Sequence, residues 1–264
     1  MTDDREDETD VAPNDGPADE RASNSSGFEA VVANAIGRLR SDPVLWLPFL
    51  LAGLLSFAID RRRAADALPV EAGVDDATVS VAYAIYPSGV TETVRPLGAL
   101  VDLRLPSLAY ALGLEALAVL AVAGAGWLTI ARARGDPLRP ERFGRYLLLV
   151  VGVGAGYRLL EAVGVGYGGG SLLSGLAVLA LAFAVLVRLF LWPALVLRGE
   201  GVAASLAKSW RDARGQGWTI LGLILLIGLG AWALAHAPVV GTVLSVWLVG
   251  TIHAVSLVAL LERT

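Results

Sequence analysis

Two apolar runs close the chain, TILGLILLIGLGAWALA and VVGTVLSVWLVGTIHAVSLVALL, separated only by HAP. Each has the ~20 residues that carry a helix across the hydrocarbon of a bilayer, and neither offers a polar face to water. Upstream, four more segments have the same character. The six predicted spans are roughly 43–60, 106–130, 146–165, 171–197, 218–235 and 240–261. The third is interrupted by Arg158 and Glu161 and is dense in glycine, so it reads either as a full crossing or as a buried re-entrant segment. The chain as a whole agrees. Hydrophobic residues make up 55% and charged residues 17%, where a soluble domain carries about 25% charged. The expected fold class is an all-α integral membrane protein of about six transmembrane helices, occupying residues 28–264.

The net charge of −4 comes from one end. Residues 1–27 hold nine Asp/Glu against Arg5 and Arg21, with no aromatic residue and few large aliphatic ones. Such a segment cannot bury enough surface to offset the entropy of ordering, so it reads as a disordered acidic tail. It lacks the positive start and apolar stretch of a signal peptide. Arginine far outnumbers lysine, of which Lys208 is the single example, and this bias with the acidic tail suggests a high-salt, GC-rich source.

Ser26-Gly27-Phe28-Glu29 has capping-box spacing, and Phe28, Val32, Ile36 and Leu39 then recur at helical spacing. This predicts a short amphipathic helix lying in the membrane interface. Asp42-Pro43 supplies the N-cap and first-turn proline of the first span. Between the first two spans, residues 61–105 are polar. Val79, Val81, Tyr83 and Ile85 alternate, Pro87-Ser88-Gly89 makes a turn, and VTETV follows. That pattern predicts a small β-hairpin outside the bilayer.

Orientation follows from Lys and Arg in the short loops. With the N-terminus inside, twelve basic residues fall on the inner side and five on the outer side, Arg61-Arg62-Arg63 being the discordant group. The chain is therefore expected to be a multi-pass protein of the cell membrane with both termini cytoplasmic. Between spans four and five, Val202, Leu206 and Trp210 repeat every four residues beside Lys208, Arg211 and Arg214, and Trp218 follows. Trp rings favour the headgroup level and cations favour the anionic cytoplasmic leaflet, so Trp210, Arg211, Arg214 and Trp218 mark a second interfacial helix.

That region, FLWPALVLRGEGVAASLAKSWRDARGQGWTILGLILL, with Pro193, Gly199, Gly201, Ser209, Trp210 and Trp218, resembles the membrane domain attached to some glycerophosphoryl diester phosphodiesterases. SDPVLWLPFLLAGLL and GDPLRPERFGRYLLLV are similar to segments of uncharacterised polytopic membrane proteins of haloarchaea. The resemblance implies a six-helix membrane unit. The hydrolase activity of that family sits on a separate soluble domain, to which nothing here corresponds.

Motifs that carry chemistry are few. The absence of Cys excludes disulfides, thiolate nucleophiles and Cys-based zinc sites. Gly164-Val165-Gly166-Tyr167-Gly168-Gly169 fits GxGxxG but joins two apolar spans, where a dinucleotide site needs a βαβ unit. Gly152 and Gly156 have the small-xxx-small spacing that lets helices approach closely. His236 falls in a turn, and His253 lies inside span six with no second ligand at helical spacing, which favours hydrogen bonding between helices over metal binding. No catalytic residue, metal or cofactor is expected, nor a nucleic-acid partner. Partners are the lipid bilayer and a second copy or another membrane protein.

The remaining candidates are Glu115, Arg158, Glu161 and Arg188, ionisable groups inside spans and so functional candidates by default, with Arg188 near enough to the inner end of span four to reach the interface. Counting residues inward from the expected span ends puts Glu115 and Arg158 at similar depths, which predicts that they face each other. The functional expectation is a non-enzymatic scaffold or accessory protein; the alternative is a small-molecule or ion transporter using Glu115 and Arg158.

Overall fold

The computed structural model describes residues 17–73, 80–101, 103–162 and 172–264. Among them, six helical segments are long and apolar enough to cross a membrane: Pro43–Ala65, Leu105–Ala133, Pro140–Leu160, Leu173–Leu197, Gly217–Ala235 and Gly241–Leu261. The chain is a multi-pass integral membrane protein of all-α class. The third segment is helical throughout its described length, and the GxGxxG stretch lies outside the described residues.

The helices are α1 (Pro17–Ser41), α2 (Leu47–Ala65), α3 (Leu105–Ala133), α4 (Pro140–Ala162), α5 (Leu172–Leu189), α6 (Trp192–Leu197), α7 (Val202–Asp212), α8 (Gly217–Ala235), α9 (Gly241–Leu244) and α10 (Gly250–Leu261). A 3₁₀ turn, Pro43–Trp46, leads into α2, and Asp42 caps it by accepting from the Val44 N–H at 3.3 Å. A wide π turn, Ser245–Val249, joins α9 to α10. The sixth span is the centre of the bundle: 72% of its apolar window is buried within the protein, against 6% for the fourth. Small residues make that possible. A Cβ on Gly250 would sit 2.4 Å from the Phe49 ring, so α2 and α10 approach too closely for any side chain there.

Polar connections gather at the two ends of the bundle. At one end, the basic end, α1 lies across the helices. Gly27 sits against Thr219 at the start of α8, and Arg38 donates from Nη1 to the Ala133 carbonyl at 2.8 Å. Arg263 and Glu262 of the C-terminus hold the same helix at Gly27 and Arg38. Val31, Ala35 and Leu39 are buried beneath it, while Ile36 is exposed. The amphipathic helix is therefore present: of the expected stripe, Leu39 is buried and Phe28 and Val32 pack partly buried on the core, while Ile36 is exposed and Val31 and Ala35 are buried instead. As described, α1 runs from Pro17 to Ser41 and so begins ahead of the expected start at Ser26. Residues 1–16 lie outside the described residues. Near α1, α7 packs on α5 and α6, turned in by Gly199 and out by Gly215, both at positive φ.

The expected hairpin is not formed as predicted. The strands that pair are β1 (Glu71–Ala72) and β2 (Thr93–Val94), antiparallel with Glu71 opposite Val94 and Ala72 opposite Thr93. Residues 80–90 take no strand; Val79 lies outside the described residues. Instead this segment enters the bundle. The Ala82 N–H donates to the Gly228 carbonyl at 3.2 Å, and the Tyr83 hydroxyl lies 3.4 Å from His253 Nε2. Gly228 is seven residues from the end of α8, about 10 Å below it at ~1.5 Å per residue. The alternation of Val81, Tyr83 and Ile85 is real, but helices rather than a partner strand receive it.

Gly152 and Gly156 also depart from expectation. A Cβ on either would meet nothing within 4 Å, so neither marks a close helix crossing.

Candidate functional site

Non-helical backbone at membrane depth is tolerated only where protein satisfies its polar groups. The groups that hold residues 80–95 define the polar interior of this protein. Ser245, in the π turn, accepts from the Val90 N–H at 2.9 Å and donates to the Ala231 carbonyl at 3.2 Å, joining the loop to spans five and six. Tyr83 stacks on Phe190, with ring centroids 6.3 Å apart, and contacts the His253 ring at 5.2 Å. His253 thus bonds to the inserted loop rather than to a second helix. Glycine makes the passage: a Cβ on Gly228 would lie 2.4 Å from Val81 Cγ1, and one on Gly89 would strike the Ser245 backbone.

Above this lies Asp60, only 1% exposed near the end of α2. Its Oδ1 accepts from the Thr93 hydroxyl at 2.7 Å and from Arg63 Nη1 at 3.4 Å. Its Oδ2 accepts from the Thr242 hydroxyl at 2.7 Å and from the Glu92 N–H at 3.0 Å. Four donors from the loop, the sixth span and the carboxylate's own helix therefore meet one buried carboxylate. Arg63, also buried, completes the arrangement. Its Nε and Nη2 donate to the two oxygens of Glu115 at 3.0 and 2.7 Å, and its Nη1 reaches the Thr93 carbonyl at 2.8 Å. The fork geometry suits a guanidinium and a carboxylate, and charge-assisted bonds of this kind are the stronger ones.

The predicted pairing of Glu115 with Arg158 is thereby corrected. Both Glu115 oxygens are taken by Arg63, and Arg158 Nη1 donates instead to the Arg95 carbonyl at 2.9 Å. The depth count failed for a physical reason. At 29 residues, α3 is about 43 Å long, well beyond the ~30 Å hydrocarbon. Glu115 is level with Arg63, two residues from the end of α2 at Ala65, rather than with Arg158. The Glu161 side chain lies outside the described residues. Arg95 is wholly buried, donating from Nη2 to Asp66 at 2.5 Å, while its Nε and Nη1 meet no partner. Asp60, Arg63, Arg95, Thr93 and Thr242 were not singled out from the sequence. The first two sit at the edge of an apolar run, where a charged group ordinarily faces water.

At the basic end, Trp210, Arg211, Arg214 and Trp218 are all exposed. The face of α7 that is buried carries Ser205 and Ser209, and the Ser209 hydroxyl donates to the Arg188 carbonyl at 2.6 Å. Arg188 lies over the Trp210 ring, 5.9 Å from its centroid. Carboxylates pair with some of the neighbouring cations: Arg132 with Asp42, Arg134 and Arg142 with Asp136, Lys208 with Glu200. The bond from Arg132 holds the Asp42 carboxyl below the usual carboxylate range. Among the described residues, no three His, Asp or Glu side chains converge as metal ligands.

No protein family, curated protein or solved structure matches the chain.

Proposed function

We propose that this is a non-enzymatic membrane protein with a scaffold or accessory role in the cell membrane, its N- and C-termini cytoplasmic. The observation that carries this reading is the saturation of the interior charges. Glu115, the acidic group a transporter would use, has both oxygens committed to Arg63, and Asp60 accepts four bonds, two of them from Glu92 and Thr93 of the connecting loop. A transport group must exchange partners in each cycle, whereas removing one partner of such a charge-assisted pair costs roughly 1.5–3 kcal/mol. The orientation rests on the basic residues of the short loops. Its discordant group is weaker than it looks, because Arg63 and Arg95 are paired with acids inside the protein and leave Arg61, Arg62 and Arg104 as the outer cations. The likeness of residues 190–226 to a phosphodiesterase membrane domain fits a membrane unit whose activity resides in a partner, with haloarchaea as the proposed source.

Purified protein in vesicles, under imposed proton, sodium or potassium gradients, tests the reading. It predicts flux no faster than through protein-free vesicles. Flux that Glu115→Gln abolishes would replace the scaffold reading with the transporter.

A further inference from the structure

Between α5 and α8, at the basic end, runs an open groove of about 540 Å³. Its walls are apolar, among them Ala180 and Phe183 on α5 and Leu221 on α8. Its rim carries Arg188, Arg214 and the exposed Trp218. From Ala180 to Arg188 is eight residues, about 12 Å along the helix, so the groove stays within one leaflet of a ~30 Å hydrocarbon. Two features distinguish it from an ordinary lipid-facing crevice. Among the described residues neither Arg188 nor Arg214 has a carboxylate at ion-pair distance, whereas Arg132, Arg134, Arg142 and Lys208 at the same end each do. Among the described residues the Arg188 guanidinium makes one hydrogen bond, a long one of 3.4 Å to the Trp210 carbonyl. The groove therefore joins an apolar trough in the bilayer to two uncompensated cations at headgroup level, with a Trp ring at the same level.

We infer that this groove is a site for one anionic phospholipid, its phosphate held by Arg188 and Arg214 and an acyl chain lying against Ala180, Phe183 and Leu221. Charge complementarity selects this occupant. A zwitterionic lipid brings its own cation to the rim, and a free phosphate leaves the apolar walls unused. The inference goes beyond the scaffold reading and holds whichever leaflet the basic end faces.

Native mass spectrometry of the detergent-purified full chain, titrated with dioleoyl phosphatidylglycerol or dioleoyl phosphatidylcholine, tests it. One adduct is expected, with the anionic lipid preferred roughly tenfold or more, since each Arg near an anionic surface contributes on the order of a tenfold factor or slightly less. Arg188→Gln with Arg214→Gln should abolish the preference, while Arg139→Gln, an exposed cation at the same end, should keep it. Should the double variant fail to fold, Leu221→Trp, which fills the groove and leaves both cations in place, should lose the adduct. Inorganic phosphate at millimolar concentration should not displace the lipid. Equal adducts with the two lipids, a preference that survives in the double variant, an adduct that survives in Leu221→Trp, or displacement by phosphate would each overturn the proposal.

Discussion

Asp60 takes two hydroxyl donors, one guanidinium donor and one backbone N–H, and three of those four come from outside its own helix. Replacing it with Asn keeps the shape but removes the charge and turns one acceptor into a donor facing donors. Asp60→Asn should cost about 3 kcal/mol or more, read as a lower unfolding midpoint in detergent. Arg63→Gln and Glu115→Gln should each destabilise by roughly 1.5–3 kcal/mol, the scale of hydrogen bonds to charged groups. The pair together should cost clearly less than the sum, because each single change strands the other partner. Glu115→Gln with Arg158→Gln should instead be additive, since those two do not share a bond. At the basic end, Asp42 titrates below its ordinary value because Arg132 bonds its charged form. Its contribution to stability is present above the ordinary carboxylate range and is lost as the pH falls through its lowered value. An acid titration of Asp42→Asn should therefore lose stability less steeply in that window. The effect is small, as the pair is solvent-facing. Charged residues within apolar runs were legible from sequence as points of interest. Their partners were not, because the ends of α2 and α3 do not coincide and residue counting cannot reveal how far a helix overshoots.

The inserted segment and the glycines that admit it are matters of whole elements. Hydropathy marked all six spans, four of them to within three residues and the first and third to within six, and the cap at Asp42-Pro43 was visible as written. Period two in Val81, Tyr83 and Ile85 was equally visible, but alternation reports only that two sides differ. It is the same for a strand on a neighbour strand and for an extended chain between helices. Gly228 separates the cases. Gly228→Leu should drive Val81 out of its place and speed hydrogen exchange across residues 80–91. Gly230→Leu, on the same helix with nothing within 4 Å of a Cβ, should leave that exchange unchanged. Likewise α1 was recognisable by its stripe, of which Phe28, Val32 and Leu39 pack on the core and Ile36 alone faces out. The small Ala35 is buried with Leu45 and with Val255 of α10, and composition alone ranks Ile36 as the better core residue.

For the whole molecule, orientation and the role of the polar interior are the two open propositions. With no cysteine in the chain, single cysteines report cleanly on sidedness. Ala67 and Ala207 are both exposed, whereas Ser209 is buried and unsuited to labelling. In intact cells an impermeant thiol reagent should label Ala67→Cys and leave Ala207→Cys untouched; the reverse pattern would invert the topology. The central claim is that the interior charges clasp the connecting loop inside the bundle. Hydrogen exchange of the full chain in nanodiscs reads this directly. Residues 81–92 should exchange as slowly as the flanking helices, and Asp60→Asn should release them selectively while α8 and α10 stay protected. Solvent-like exchange of 81–92 in the parent protein, or protection indifferent to Asp60→Asn, would contradict the account.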